Sequence, residues 1–140
     1  MIPRTVLVAA SPFGGALSAE RAASALGRGL AAGGHPTDLC PIVPAGDRRE
    51  LLDALGFDAR MRSARAVVLV EARLHEDTLA DSIAFEIATR ARQSGVPAYA
   101  VTGENALDDF DARILDLQAI FEANSAQSLE KAGRQLAELI

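Results

Sequence analysis

The sequence predicts an α/β protein, a three-layer helix–sheet–helix sandwich built around a parallel sheet of about five strands. The first observation behind this is a set of short apolar runs, "TVLVAA" (5–10), "DLCPIV" (38–43), "AVVLVEA" (66–72), "AYAVT" (98–102) and "LQAIFEA" (117–123). They are partly β-branched and do not alternate, which is the pattern of strands covered on both faces. The second is that helical periodicities lie between them, so strand and helix alternate along the chain. The third is size: 140 residues with 49% hydrophobic content make one domain over 1–140 with a core that stands alone.

The elements follow in order. Ser18 caps a helix in which Ala19, Ala22, Ala23, Leu26 and Leu30 repeat at helical spacing, and Gly33-Gly34 ends it. Small residues at 22, 23, 25, 27 and 29 let this helix lie close to the sheet. Asp47 with Glu50 reads as a capping box opening a helix through Leu55, after which Gly56 breaks it and "FDARMRSA" adds a further turn or two. Asp77 caps the next helix, whose stripe of Leu79, Ile83, Ile87 and Ala91 runs up to "GVP" at 95–97. The last helix follows Ser125 or Ser128, with Leu129, Ala132, Gly133, Leu136 and Ile140 on one side and Glu130 to Arg134 as an exposed pair. Right-handed crossovers fold such a chain into a flavodoxin/Rossmann-like sheet, for which we expect the order 2-1-3-4-5. In such sheets ligands bind beyond the carboxyl ends of the strands, where the strand order reverses. The segments 11–17, 71–77 and "TGEN" (102–105) are therefore expected around one crevice.

Composition removes several function classes. Fourteen basic against nineteen acidic residues give a net charge of −5, with no basic block and few aromatics, so no nucleic-acid footprint is present. No apolar run approaches a membrane span, and "VLVAA" is too short for a signal-peptide core. The single cysteine, Cys40, is expected to be buried and reduced, which points to the cytoplasm. Thirteen of the basic residues are arginines and Lys131 is the only lysine. No lysine is therefore available to an N-terminal loop.

Two stretches carry chemistry. In "SPFGGALS" (11–18), Ser11, Gly14, Gly15 and Ser18 offer hydroxyls and unhindered backbone donors at a helix start, the usual place to hold a phosphate or carboxylate. A tight strand-to-helix turn with an N-cap and nothing bound has the same appearance. In "VEARLHEDT" (70–78), the residues Glu71, Arg73, His75, Glu76, Asp77 and Thr78 crowd the end of a buried strand. A guanidinium among carboxylates can hold an acid bidentately and a histidine can move protons near neutral pH. The alternative makes Glu71 and Arg73 a structural ion pair, Asp77 a cap and His75 a loop residue. Asp108, Asp109 and Asp111 form an acidic cluster that suits a solvated helix start better than a metal, and no metal site is expected.

These residues also carry a resemblance. "VLVAASPFGGALSAERAASALGRGL" resembles the N-terminus of the glycerate kinases, which reads like V-I-A-P-D-S-F-K-G-S-L-S-A and continues into a helix. "GFDARMRSARAVVLVEARLHEDTLADSIAFEIATRARQSGVPAYAVTGE" is similar to their C-terminal region, with G-x-D-A-R-L, then T-G-E-G-R-x-D-x-Q-T, a helix, G-V-P and a strand. "SLEKAGRQLAEL" resembles their closing helix. Members of that family are much longer, with a second domain inserted between the two ends of an α/β domain. Here the halves meet at Leu55-Gly56, so the resemblance implies a stand-alone, truncated α/β domain lacking the insert.

The motifs depart from the family at the chemical positions. Phe13, Gly15, Leu17, Ser18 and Ala19 agree, but the family's aspartate falls at Ser11 and its lysine at Gly14. Glu71, Arg73, Leu74 and Thr78 agree, while the two glycines fall at Val70 and Ala72, the aspartate at His75 and the glutamine at Asp77. "VPAGD" replaces the family's A-D-G-G. The resemblance thus implies an inherited crevice without kinase activity of its own, holding a small anion, a hydroxy acid or a protein partner. Its anion-binding set is Ser11, Phe13, Gly14, Gly15, Ser18, Arg73 and Thr78, and its candidates for catalysis are Glu71, Arg73, His75 and Asp77. No cofactor is expected in that reading. The alternative is an ATP- and magnesium-dependent phosphotransferase completed by a partner chain. Loss of a covering domain also predicts a homodimer through the uncovered surface.

Overall fold

The computed structural model describes residues 4–14, 17–80 and 82–140. Its elements run β1 (Thr5–Ala10), α1 (Ala19–Ala32), β2 (Thr37–Pro41), α2 (Arg48–Ala54), α3 (Phe57–Arg62), β3 (Ala64–Leu74), a short 3₁₀ helix (Glu76–Leu79), α4 (Ile83–Ser94), β4 (Ala98–Asn105), α5 (Asp109–Leu115), β5 (Leu117–Glu122) and α6 (Ala126–Leu139). All strand pairs are parallel. Their order is β2-β1-β3-β4-β5, the order expected above, and it reverses between β1 and β3.

The lack of alternation in the strands has its cause in two cores, one on each face of the sheet. Leu7, Ala9, Val67 and Leu69 pack under α2 to α5 with Phe57 and Ile87, while Val6, Val8, Val68 and Val70 pack under α1 and α6 with Leu26 and Leu129. Cys40 is buried in the first core, and burial pushes its thiol up. Among the described residues no helix is long and apolar enough to cross a membrane.

Caps bound the helices largely where the residues suggest. Ser18, Asp47, Asp108 and Ser125 each accept a backbone N–H at the start of α1, α2, α5 and α6. The segment after β3 differs from expectation. His75, not Asp77, caps the 3₁₀ turn through its ring nitrogen, and Ser82 caps α4, accepting from the Phe85 N–H at 3.0 Å. Serine fits there because its short hydroxyl reaches back to the third amide of the turn.

The Leu55-Gly56 turn joins α2 directly to α3. Gly56 takes φ +63°, a left-handed conformation that glycine reaches without a Cβ clash, and Leu52 and Phe57 on either side are fully buried. Arg90 of α4 ties the two helices together. Its Nη1 donates to Asp53 of α2 at 3.0 Å and to Asp58 of α3 at 3.2 Å, and its Nε donates to Glu86 at 3.0 Å. Both outer carboxylates are largely exposed, so water screens part of this network. Arg90→Ala is expected to lower the unfolding free energy by about 1–2 kcal/mol. A urea midpoint unchanged at constant slope would show that the clamp contributes nothing.

Candidate functional site

At the carboxyl ends of β1 and β3, the point of strand reversal, residues of β3 and of the segments that follow β1, β2 and β3 form a cleft of about 730 Å³. Ser11 lies just beyond β1 and Glu71 in the upper part of β3. Both continue the alternation of Ala9 and Leu69, which are register partners, so the two side chains emerge side by side on the α2–α4 face. The Ser11 N–H donates to the Val70 carbonyl at 3.0 Å, and the Ser11 Oγ donates to Glu71 Oε1 at 3.0 Å. Burial raises the Glu71 carboxyl from 4.5 to about 7, against a smaller lowering by the Ser11 hydrogen bond. Near neutrality this carboxyl is therefore poised between its two states.

Arg73, two residues further on β3, stands opposite Glu104 on β4 and pairs with it through Nε. Glu71 and Arg73 are thus not an ion pair with each other. Arg73 remains more than half exposed and lines the cleft. His75 and Asp77 lie on the rim, where the imidazole Nδ1 accepts the Asp77 N–H at 3.3 Å. Thr78 is buried, and its Oγ1 accepts the His75 N–H at 3.1 Å, closing the turn. The strand order brings a further wall that local patterns leave unmarked: Pro44 to Arg48, after β2, and Ser82 to Ala84 at the start of α4. The only sequence signal for the first of these is "VPAGD" at the place of a family glycine motif.

Phe13, Gly14 and Ser18 of the expected anion site lie elsewhere. Phe13 is buried under α1 and α6, and with Gly14 and Leu17 it lines a separate hollow of about 640 Å³ on the opposite face. The Phe13 N–H donates to the Leu17 carbonyl and the Leu17 N–H to the Gly14 carbonyl, both at 3.1 Å. Those backbone donors are committed within the loop. Ser18 accepts the Arg21 N–H at 3.2 Å as a helix cap, and Gly15 lies outside the described residues. The expected single crevice is therefore divided, with Arg73 lining both parts.

Among the described residues no three His, Cys, Asp or Glu side chains are grouped to hold a metal ion. The Phe13 and Leu17 amides, spent inside their own turn, do not suit a nucleotide phosphate, and Gly14 brings no cation to it.

Comparison with known proteins places this architecture. The model of the glycerate kinase family matches residues 31–140. The chain belongs to the glycerate kinase family. No curated protein matches it. Among solved structures, glycerate kinase 2 from Salmonella typhimurium LT2 superposes with a TM-score of 0.51 at 17% identity over 72% of this chain. The matched part is 27% of that protein, so the chain spans about a quarter of its length. Diflavin flavoprotein A3 from a Nostoc species superposes with a TM-score of 0.54 at 17% identity over 99% of this chain and 94% of that one. At these identities the likeness concerns the fold: a glycerate kinase family domain with a flavodoxin-type parallel sheet.

Proposed function

We propose that this glycerate kinase family domain binds a small hydroxy acid or a similar small anion in the Ser11–Glu71 cleft and does not transfer phosphate by itself. The observation that carries the proposal is the Ser11–Glu71 pair. A half-buried carboxyl with a hydroxyl beside it, at the reversal point of a parallel sheet, is where this architecture places ligand contacts. Arg73, more than half exposed on the same cleft, supplies guanidinium donors for a carboxylate, and the cavity suits a small molecule. Phosphoryl transfer, by contrast, rests on cations and a closed, dry site. In the resemblance, glycine stands here at the lysine position, and the absent insert is assigned to the Leu55-Gly56 turn between α2 and α3.

The test is a thermal-shift and calorimetric titration of the purified chain with glycerate, lactate, phosphate and ATP, alongside an assay for ADP release. Saturating glycerate or lactate at about a hundred times Kd is expected to stabilise the fold by about 2.7 kcal/mol, a rise of several degrees in Tm. Ser11→Ala and Arg73→Ala are expected to remove most of that rise. Glycerate-dependent ADP release above background would overturn the proposal in favour of a phosphotransferase, and so would a Tm that responds to ATP alone.

A further inference from the structure

We infer that the cleft takes up its anion together with a proton: Glu71, as a neutral carboxylic acid, donates a hydrogen bond from Oε2 to a ligand oxygen while the Ser11 hydroxyl engages Oε1. The inference rests on the cleft being the ligand site, and adds what kind of contact Glu71 makes there. Its geometric basis is that the Ser11 Oγ occupies Oε1 alone, and among the described residues Oε2 enters no hydrogen bond while the side chain lines the cavity.

The charges around the carboxyl lead the same way. Asp47 and Arg48 face the cleft from the start of α2, Arg73 from β3, and His75 and Asp77 from the 3₁₀ turn, with Glu104 of β4 behind Arg73. Arg73 is already paired with Glu104, and the Arg48 Nε lies 3.9 Å from Glu86 Oε1. With Glu71 ionised, the lining carboxylates Asp47, Glu71 and Asp77 outnumber the guanidiniums of Arg48 and Arg73 among the described residues, and this excess, part-screened at the exposed Asp47 and Asp77, disfavours an incoming anion. Protonation removes that excess. It also turns an acceptor-only group into a donor, which is what an oxyanion needs. Burial makes the proton available, since it brings the free carboxyl to about 7. An approaching anion then raises it further, as any like charge does.

The test is calorimetry with glycerate and with sulfate, whose charges stay constant between about pH 6 and about pH 8.5, each run in two buffers of different ionisation enthalpy. Wild-type affinity for at least one of them is expected to fall about tenfold or more across that range, with net proton uptake on binding. Glu71→Gln, a permanent donor of the same shape, is expected to bind at about pH 8.5 as tightly as wild type does at about pH 6, with no pH dependence. A wild-type affinity that is flat or rises with pH overturns the inference and leaves the cleft reading standing. Loss of binding in Glu71→Gln at every pH means an ionised acceptor and overturns it too. A pH dependence that survives in Glu71→Gln belongs to another group and equally overturns it. Binding of neither anion at any pH overturns the cleft reading itself, and this inference with it.

Discussion

Gly29→Ala is expected to cost about 3 kcal/mol or more of folding free energy, or to prevent folding. Small residues on α1 suggest a helix lying close to the sheet, yet the closest approach is between helices. A methyl group on Gly29 would run into the backbone carbonyl of Glu130, with the Arg134 nitrogen at 2.8 Å and the Gly133 Cα at 2.9 Å. One on Gly133 would meet the Leu26 carbonyl, with the Gly29 Cα and the Leu30 nitrogen both at 3.0 Å. These are backbone atoms of regular helices and have no alternative rotamer. Relief requires α6 to move bodily away from α1, opening the packing of Leu26, Leu129 and Leu136, all fully buried. Gly27→Ala is the control on the same helix. Its methyl group would meet the end of the Leu39 side chain at 2.8 Å, which can turn aside, so the expected change is within about 1 kcal/mol. Urea unfolding of both variants decides the matter, and a Gly29→Ala protein as stable as Gly27→Ala would mean that α1 and α6 stand farther apart.

Glu71→Gln is expected to become more stable than wild type as the pH rises, by about 2–3 kcal/mol at pH 8 relative to the difference at pH 4. The folded-state carboxyl at about 7 lies above its ordinary 4.5, so between those values the folded chain binds more protons than the unfolded one. Wild-type stability therefore falls with rising pH across that window. Below about 4.5 the group is neutral in both states and imposes no penalty. Above about 7 it is ionised in both, and the penalty is complete and constant. Glutamine cannot ionise and lacks this slope. Chemical denaturation from pH 4 to 8 measures it, and a stability difference that stays flat would mean that the Glu71 carboxylate is well solvated. Because ligand binding and folding read the same proton, this measurement also places the ligand-free end of the pH dependence inferred for the cleft.

The two faces of the sheet and the caps were legible because each leaves a local mark. A strand buried on both sides shows an unbroken apolar run, and Ser18, Asp47 and Asp108 stand immediately before their helices. The strand ends were less legible. β3 continues to Leu74 and β4 to Asn105, past the runs ending at Ala72 and Thr102. The polar residues there belong to the strands themselves: Arg73 lines both the cleft and the hollow on the opposite face, and Glu104 lines the hollow. Strand termini carrying a site therefore look like loops. The capping of α4 was misplaced for a related reason: His75, Asp77 and Ser82 can all cap, and the extra 3₁₀ turn decides which of them does.

Local burial and turn chemistry by themselves determined the class and the number and succession of strands, since each is a property of a short segment; the strand order was an expectation that right-handed connection narrows without fixing. Only the tertiary structure decided which side chains meet. Ser11 finds Glu71 across sixty positions of chain, Arg73 finds Glu104 rather than its neighbour two residues away, and Gly29 finds Gly133 rather than the sheet. Such pairings depend on strand register and helix separation, which arise from the packing of all the layers together and leave no trace in any one segment.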